Sequence, residues 1–160
     1  RELSPETLDM IAIGAIKFSI LKSKPGQNIN FDPETSLSFE GDSGPYLQYT
    51  NARINSILAK ANEMGIKFGE VKSGREVTEV EKLIYRFPEI VETSIADFAP
   101  HHVAVFLLDL SRAFNSWYGN TKIIDNDNPN AGYNLSIARA VGQTIQNGLN
   151  LLGIKSPERM

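Results

Sequence analysis

The sequence predicts an all-α fold, a bundle of five or six helices. Three observations point there. Apolar residues recur at helical spacing through most of the chain. Prolines, glycines and capping residues divide these stretches into separate segments. No two neighbouring stretches alternate apolar and polar residues as a strand pair would. The length of 160 residues, with 41% hydrophobic and 22% charged, is that of one ordinary globular domain. A single helical domain over residues 1–160 is therefore expected.

The first helix opens at Ser4-Pro5-Glu6, with a cap, a proline at the first helical position and an acid in the first turn. Leu8, Ile11, Ala12, Ala15 and Phe18 follow at helical spacing, and Lys24-Pro25-Gly26 is the stop. Residues 25–42 read as a long connection with a brief extended piece at Ile29–Phe31. Connections of this length inside a compact domain are often functional. A second helix opens near Ser43 and Pro45 and runs to about Met64, with Gly65 beyond it. Residues 66–75 read as a polar loop. Thr78 to Arg86 predicts a short helix, broken at Phe87-Pro88, and another from Pro88 to about Asp97. Pro100 begins a strongly apolar helix through about Tyr118, followed by a loop from Gly119 to Asn130. The last helix runs from about Gly132 to Leu152, with Gly153 as its C-terminal glycine and a short tail to Met160.

Composition excludes several function classes. The net charge of -3 is not that of a polycation, so any nucleic-acid role rests on local patches. Residues 1–42 carry seven acids and four bases, whereas 43–160 carry twelve of each, so an anion-facing surface is expected in the later part. With no cysteine there is no disulfide, thiolate zinc site or cysteine nucleophile. No apolar run reaches the roughly 18 residues of a membrane span, and no secretory signal opens the chain. A cytoplasmic protein with no membrane partner is expected. The first residue is Arg1 rather than Met, which reads as a piece of a longer chain.

Catalytic signatures are sparse. His101 and His102 are adjacent at a helix start, where side chains diverge by about 100°, so the two rings are not expected to share a metal. Packing or capping is the expected role. Asp125-x-Asp127 opens like a calcium loop but lacks the loop glycine and the closing glutamate. Neither glycine-rich nucleotide motif is present. No catalytic residue and no metal ligand is assigned. Two aromatic clusters suggest a binding surface instead: Tyr46, Tyr49 and Arg53 on one helical stripe, and Phe114, Trp117 and Tyr118 at the end of the apolar helix. Aromatics at this spacing are also ordinary core residues, and a helical protein-interaction or regulatory module is the alternative.

Residues 40–54, EGDSGPYLQYTNARI, change that balance. They closely resemble the long contiguous signature E-G-x-[ST]-[GA]-P-Y-L-Q-Y-x-x-A-R of the arginyl-tRNA synthetases. IGAIKF at 13–18 is similar to the family's stem, PHHVAVFLLDLSRAFNSWY at 100–118 to its DALR-type anticodon-binding helix, and LLGIKSPERM at 151–160 to its C-terminal end. Residues 1–42 then correspond to a stem helix and the loop leading into the signature helix. The family's H-I-G-H and K-M-S-K-S motifs are not in this chain. The resemblance implies the anticodon-binding part of a class I aminoacyl-tRNA synthetase, an arginine-tRNA ligase, inactive without a Rossmann-type catalytic domain. ATP and Mg2+ would belong to that domain, and no cofactor is expected here. The implied partners are the anticodon stem-loop of arginine tRNA and the parent catalytic domain. DNA binding is not implied, and a monomer is expected. Carried over by motif, Tyr46, Tyr49, Arg53, Phe114, Tyr118 and Met160 are the implied tRNA-binding residues. The last three are expected to form one pocket, closed by a tail folding back over the helix of Phe114 and Tyr118.

Overall fold

The computed structural model describes residues 3–70 and 76–160. Six helices and no strand are found among them: α1 (Pro5–Leu21), α2 (Pro33–Ser36), α3 (Gly44–Glu63), α4 (Glu79–Ala96), α5 (His101–Asn120) and α6 (Ala131–Leu151). The all-α expectation holds. Part of the loop expected at 66–75 lies outside the described residues.

Local chemistry explains the boundaries. The Ser4 side chain accepts from the Thr7 N–H at 3.2 Å, and Pro5 follows at the first helical position. Ser43 caps α3 by accepting from Tyr46 N–H at 3.0 Å. Thr78 and Glu81 form a reciprocal capping box on α4. Gly65 and Gly153, beyond α3 and α6, have φ of 70° and 66°, the left-handed conformation that glycine adopts without strain.

Three expectations require correction. The connection 25–42 has no extended element at Ile29–Phe31; it contains the single turn α2. Asp32 caps that turn through Glu34 and Thr35 N–H groups, and Pro33 sits at its first position. The Thr35 bonds hold the Asp32 carboxyl below its ordinary pKa. Second, the chain does not break at Pro88: α4 is one helix. Its inward residues Val80, Leu83, Ile84, Phe87 and Ile90 keep one phase across the proline and pack on the core. Phe87 meets Phe106 of α5 with ring centroids 5.6 Å apart. Pro88 itself is exposed, so its ring stands on the outer side of the helix. Third, α5 runs through Gly119 to Asn120 rather than stopping at Tyr118.

α1 lies on α3, α3 on α6, and α5 on α4, α6 and α3. Phe18, Leu47, Ile54, Leu107, Leu110 and Phe114 are all fully buried where these helices meet. α1 and α3 approach closely at two glycines. A Cβ on Gly44 would stand 2.5 Å from the Gly14 carbonyl oxygen, and one on Gly14 would meet the Gln48 amide at 2.7 Å. That contact fixes the direction of α3, and so the direction of its exposed face.

Candidate nucleic-acid interface

The exposed side of α3 starts with Tyr46, Tyr49 and Arg53. Tyr46 is half-buried, whereas Tyr49 is 36% exposed. The Arg53 guanidinium lies 5.0 Å from the centre of the Tyr49 ring, and its Nη2 donates to the Tyr49 hydroxyl at 3.3 Å. Phe39, from the loop after α2, meets the same ring edge-on at 6.1 Å. Asn115 of α5 binds this group together. Its Oδ1 accepts from Arg53 Nη1 at 3.0 Å, and its Nδ2 donates to the Tyr46 hydroxyl at 3.0 Å and to Thr50 Oγ1 at 3.2 Å. One amide thus orients three α3 side chains. Sequence reasoning missed Asn115 because nothing local distinguishes a polar residue facing another helix from one facing water.

The second cluster is arranged otherwise than expected. Phe114 is fully buried, so its ring has no open face. Tyr118 is half-buried and stacks on it, with centroids 6.0 Å apart and planes 9° apart. Met160 lines a cleft with Ser56, Lys60 and Glu63, whereas Tyr118 lines a neighbouring cleft with Lys60, Lys122 and Ile123. The single pocket expected from Phe114, Tyr118 and Met160 is therefore two clefts, and Phe114 lines neither.

The path of the tail explains the split. It folds back over α3 rather than over α5. Gln48 Nε2 donates to the carbonyls of Met10 at 3.0 Å and Lys155 at 2.7 Å. Asn51 Nδ2 donates to Ser156 Oγ at 3.1 Å, and Asn55 Nδ2 to the Glu158 carbonyl at 3.2 Å. Residues 48, 51 and 55 lie along one side of α3, so each can hold one step of the tail. Ile154 and Pro157 are buried beneath it. Gln48 belongs to the signature that suggests binding, yet it is fully buried and joins α1, α3 and the tail. Asn51 is also a tail anchor.

Residues 47–160 match the DALR anticodon binding domain family. The chain belongs to that family. Arginine--tRNA ligase of Streptococcus suis is 38% identical over 160 residues, covering 99% of this chain and 28% of its own length. Arginine--tRNA ligase of Thermococcus kodakarensis is 36% identical, covering 99% of this chain and 26% of its own length. Among solved structures, Thermus thermophilus arginyl-tRNA synthetase superposes with a TM-score of 0.79 at 35% identity, covering all of this chain and 28% of that one. This DALR anticodon binding domain chain thus spans about a quarter of the relatives it matches. The match begins at Leu47, so α1 and α2 lie before it.

Elsewhere in this DALR chain, the start of α5 brings His101, His102 and Asp97 together. The two histidine rings do not diverge as expected: their centroids are 4.2 Å apart at the first turn of α5. His102 Nε2 pairs with Asp97 Oδ2 at 2.9 Å, while His101 Nδ1 is buried without a hydrogen-bond partner. Desolvation, with His102 and Lys24 nearby, lowers the His101 pKa. Among the described residues no group of three or more potential ligands is placed to hold a metal. No helix among them is long and apolar enough to cross a membrane.

Proposed function

We propose that this chain is the anticodon-binding part of an arginine-tRNA ligase and receives the anticodon stem-loop of arginine tRNA. The observation that carries this reading is the Tyr49–Arg53 pair, partly open to solvent and held from behind by Asn115, in a chain of the DALR family. Unstacked RNA bases are recognised on aromatic rings and guanidinium planes. Each such stack contributes about 1–3 kcal/mol, which offsets the cost of splaying a base from the loop. Tyr49 and Arg53 offer a ring and a phosphate donor side by side. Tyr46 acts through its hydroxyl, which helps hold Asn115. Tyr118 offers a half-open ring, and Phe114 supports it from the core side. Met160 lines the adjacent cleft.

Residues 1–160 act as one helical unit in this reading, with 1–42 as the stem and loop that carry α3. Amino-acid activation with ATP and Mg2+ belongs to the catalytic domain of the parent enzyme. The parent is cytoplasmic and works as a monomer. The test is a binding titration with arginine tRNA against the same tRNA carrying a replaced anticodon. Tighter binding of the natural anticodon is expected, because phosphate contacts position and base contacts specify. Equal affinities, or no binding of either, would refute the proposal.

A further inference from the structure

The outer side of α4 carries apolar residues where a solvated helix face is ordinarily polar. Tyr85, Pro88, Glu92 and Ile95 follow at steps of three, four and three, which puts them on one side of the helix. Val80, Leu83, Phe87 and Ile90 face the core on the other side. Phe98 stands three residues past Ile95, in the turn to α5. Phe98, Tyr85 and Ile95 are the most exposed large apolar residues among those described, at 89%, 85% and 69%. Exposed Phe39 and Phe68 each rest on another side chain, Tyr49 and Arg139. Phe98 has no ring or cation against it among the described residues.

The backbone holds Phe98 in place against its own preference. Its φ is 51°, and it alone among the described non-glycine residues has a positive φ. A bulky side chain is an outlier in this left-handed region. The turn is nonetheless firmly closed. Ala99 N–H donates to the Ser94 carbonyl at 3.0 Å, Phe98 N–H to the Ile95 carbonyl at 3.2 Å, and Ser94 Oγ to the Ala99 carbonyl at 3.0 Å. In this helix-ending turn the left-handed position is usually glycine, sometimes asparagine. A phenylalanine there neither relieves the backbone nor packs on the core, and backbone strain of this kind clusters at functional sites. The result is a ring presented to solvent by a fixed turn, at the end of an apolar stripe about 20 Å long.

Charge decides what fits this stripe. Residues 76–98 carry six acids and two bases. Both bases are engaged on the same helix, Lys82 by Glu79 at 3.6 Å and Arg86 by Glu89 at 3.9 Å. Glu92, midway along the stripe, is exposed. A field of this sign repels RNA and anionic lipid. It complements a protein segment with an apolar face and basic flanks, and an amphipathic helix lays such a face along an apolar surface. We infer that the outer side of α4, with Phe98 as its anchor, is a docking surface for a basic amphipathic helix of another protein. The inference does not use the tRNA reading, and the surface lies on a different helix from Tyr49 and Arg53.

The test titrates the 160-residue chain with a synthetic amphipathic helix of leucine and lysine, about four turns long, and with the same design carrying glutamate in place of lysine. The lysine helix should bind and the glutamate helix should not. Phe98→Asn should weaken the lysine helix about thirtyfold, the scale of an aromatic anchor. The same substitution should keep or raise the melting temperature, because asparagine enters the left-handed region more readily. Leu8→Asn, at an exposed apolar residue of α1, should bind the lysine helix as the unsubstituted chain does. No binding of the lysine helix, equal binding of the two helices, or equal binding by Phe98→Asn would overturn the inference. Self-association of the chain that Phe98→Asn abolishes would overturn it in favour of a second copy, and binding of a uridine oligonucleotide that Phe98→Asn abolishes would overturn it in favour of RNA. Binding by the chain but not by a full-length enzyme that contains it would overturn it in favour of the catalytic domain. Affinity for arginine tRNA should be the same in Phe98→Asn, so the tRNA function stands or falls separately.

Discussion

Arg53 shows how one side chain can be both scaffold and contact. From sequence alone it reads as a surface residue whose removal leaves stability nearly unchanged. The structure gives it bonds to Asn115 and Tyr49 and only partial exposure. Arg53→Ala should therefore destabilise the fold by about 1 kcal/mol, the net scale of such hydrogen bonds, as well as weaken tRNA binding. Urea denaturation reads the first effect and a binding titration the second. A variant with unchanged stability would show that Asn115 and Tyr49 find other partners. His101 makes a different prediction. Its folded pKa lies below the ordinary 6.5, chiefly through desolvation. As pH falls below 6.5 the unfolded chain takes up a proton before the folded chain does, so stability present above that pH is lost on acidification. Lys24, His102 and Asp97 face the ring, and the first two oppose its protonation. Melting temperatures of the unsubstituted chain should drop more between neutral pH and the acid side than those of His101→Gln. Superimposed profiles would contradict this.

At the scale of elements, capping and phase decide what a sequence discloses. α1 and α3 were legible because a serine cap and a proline mark their starts, whereas α6 has no side-chain cap and was legible from its apolar spacing and from Gly153 beyond its end. α2 was not, since four residues are too few to show a period. Its Asp32-Pro33-Glu34 start is nevertheless a helix signal that a reading based on apolar spacing passes over. α4 was divided because proline is a strong local breaker, whereas packing against α5 keeps the helix whole. The crossing of α1 and α3 gives the sharpest test. A methyl group on Gly44 would meet backbone, which cannot rotate away as a side chain can. Gly44→Ala should cost about 1–3 kcal/mol through displacement of α3 from α1. Gly119→Ala, on open helix surface, should be tolerated or slightly stabilising. Thermal melts of the two variants compare them directly, and equal melting temperatures would mean that the crossing relaxes freely.

At the scale of the whole molecule, the chain is closed by polar bonds between segments far apart in sequence. Gln48 joins α1 to the tail, and Asn51 and Asn55 continue the same seam. The aromatic and arginine members of the candidate site were legible because the signature is contiguous on one helix. Asn115, the division into clefts and the course of the tail were not, because each depends on residues brought together from different helices. This arrangement separates two truncations. Removing residues 154–160 takes away buried Ile154 and Pro157 and leaves the buried Gln48 amide without the Lys155 carbonyl. Gln48 keeps its bond to the Met10 carbonyl, so the lost hydrogen bond costs about 0.5–1.5 kcal/mol. The lost apolar burial adds to it, so the melting temperature should fall clearly. Removing only Arg159 and Met160 spares the carbonyls of Lys155 and Glu158 and both buried apolar residues. That shorter deletion should keep the melting temperature of the full chain while lowering tRNA affinity, because it removes one cation and one wall of the cleft that Met160 lines with Ser56, Lys60 and Glu63. Circular dichroism melts and binding titrations on the two truncated chains measure both effects. A large loss of stability from the shorter deletion would make Arg159 and Met160 part of the scaffold, and unchanged affinity would remove them from the binding surface.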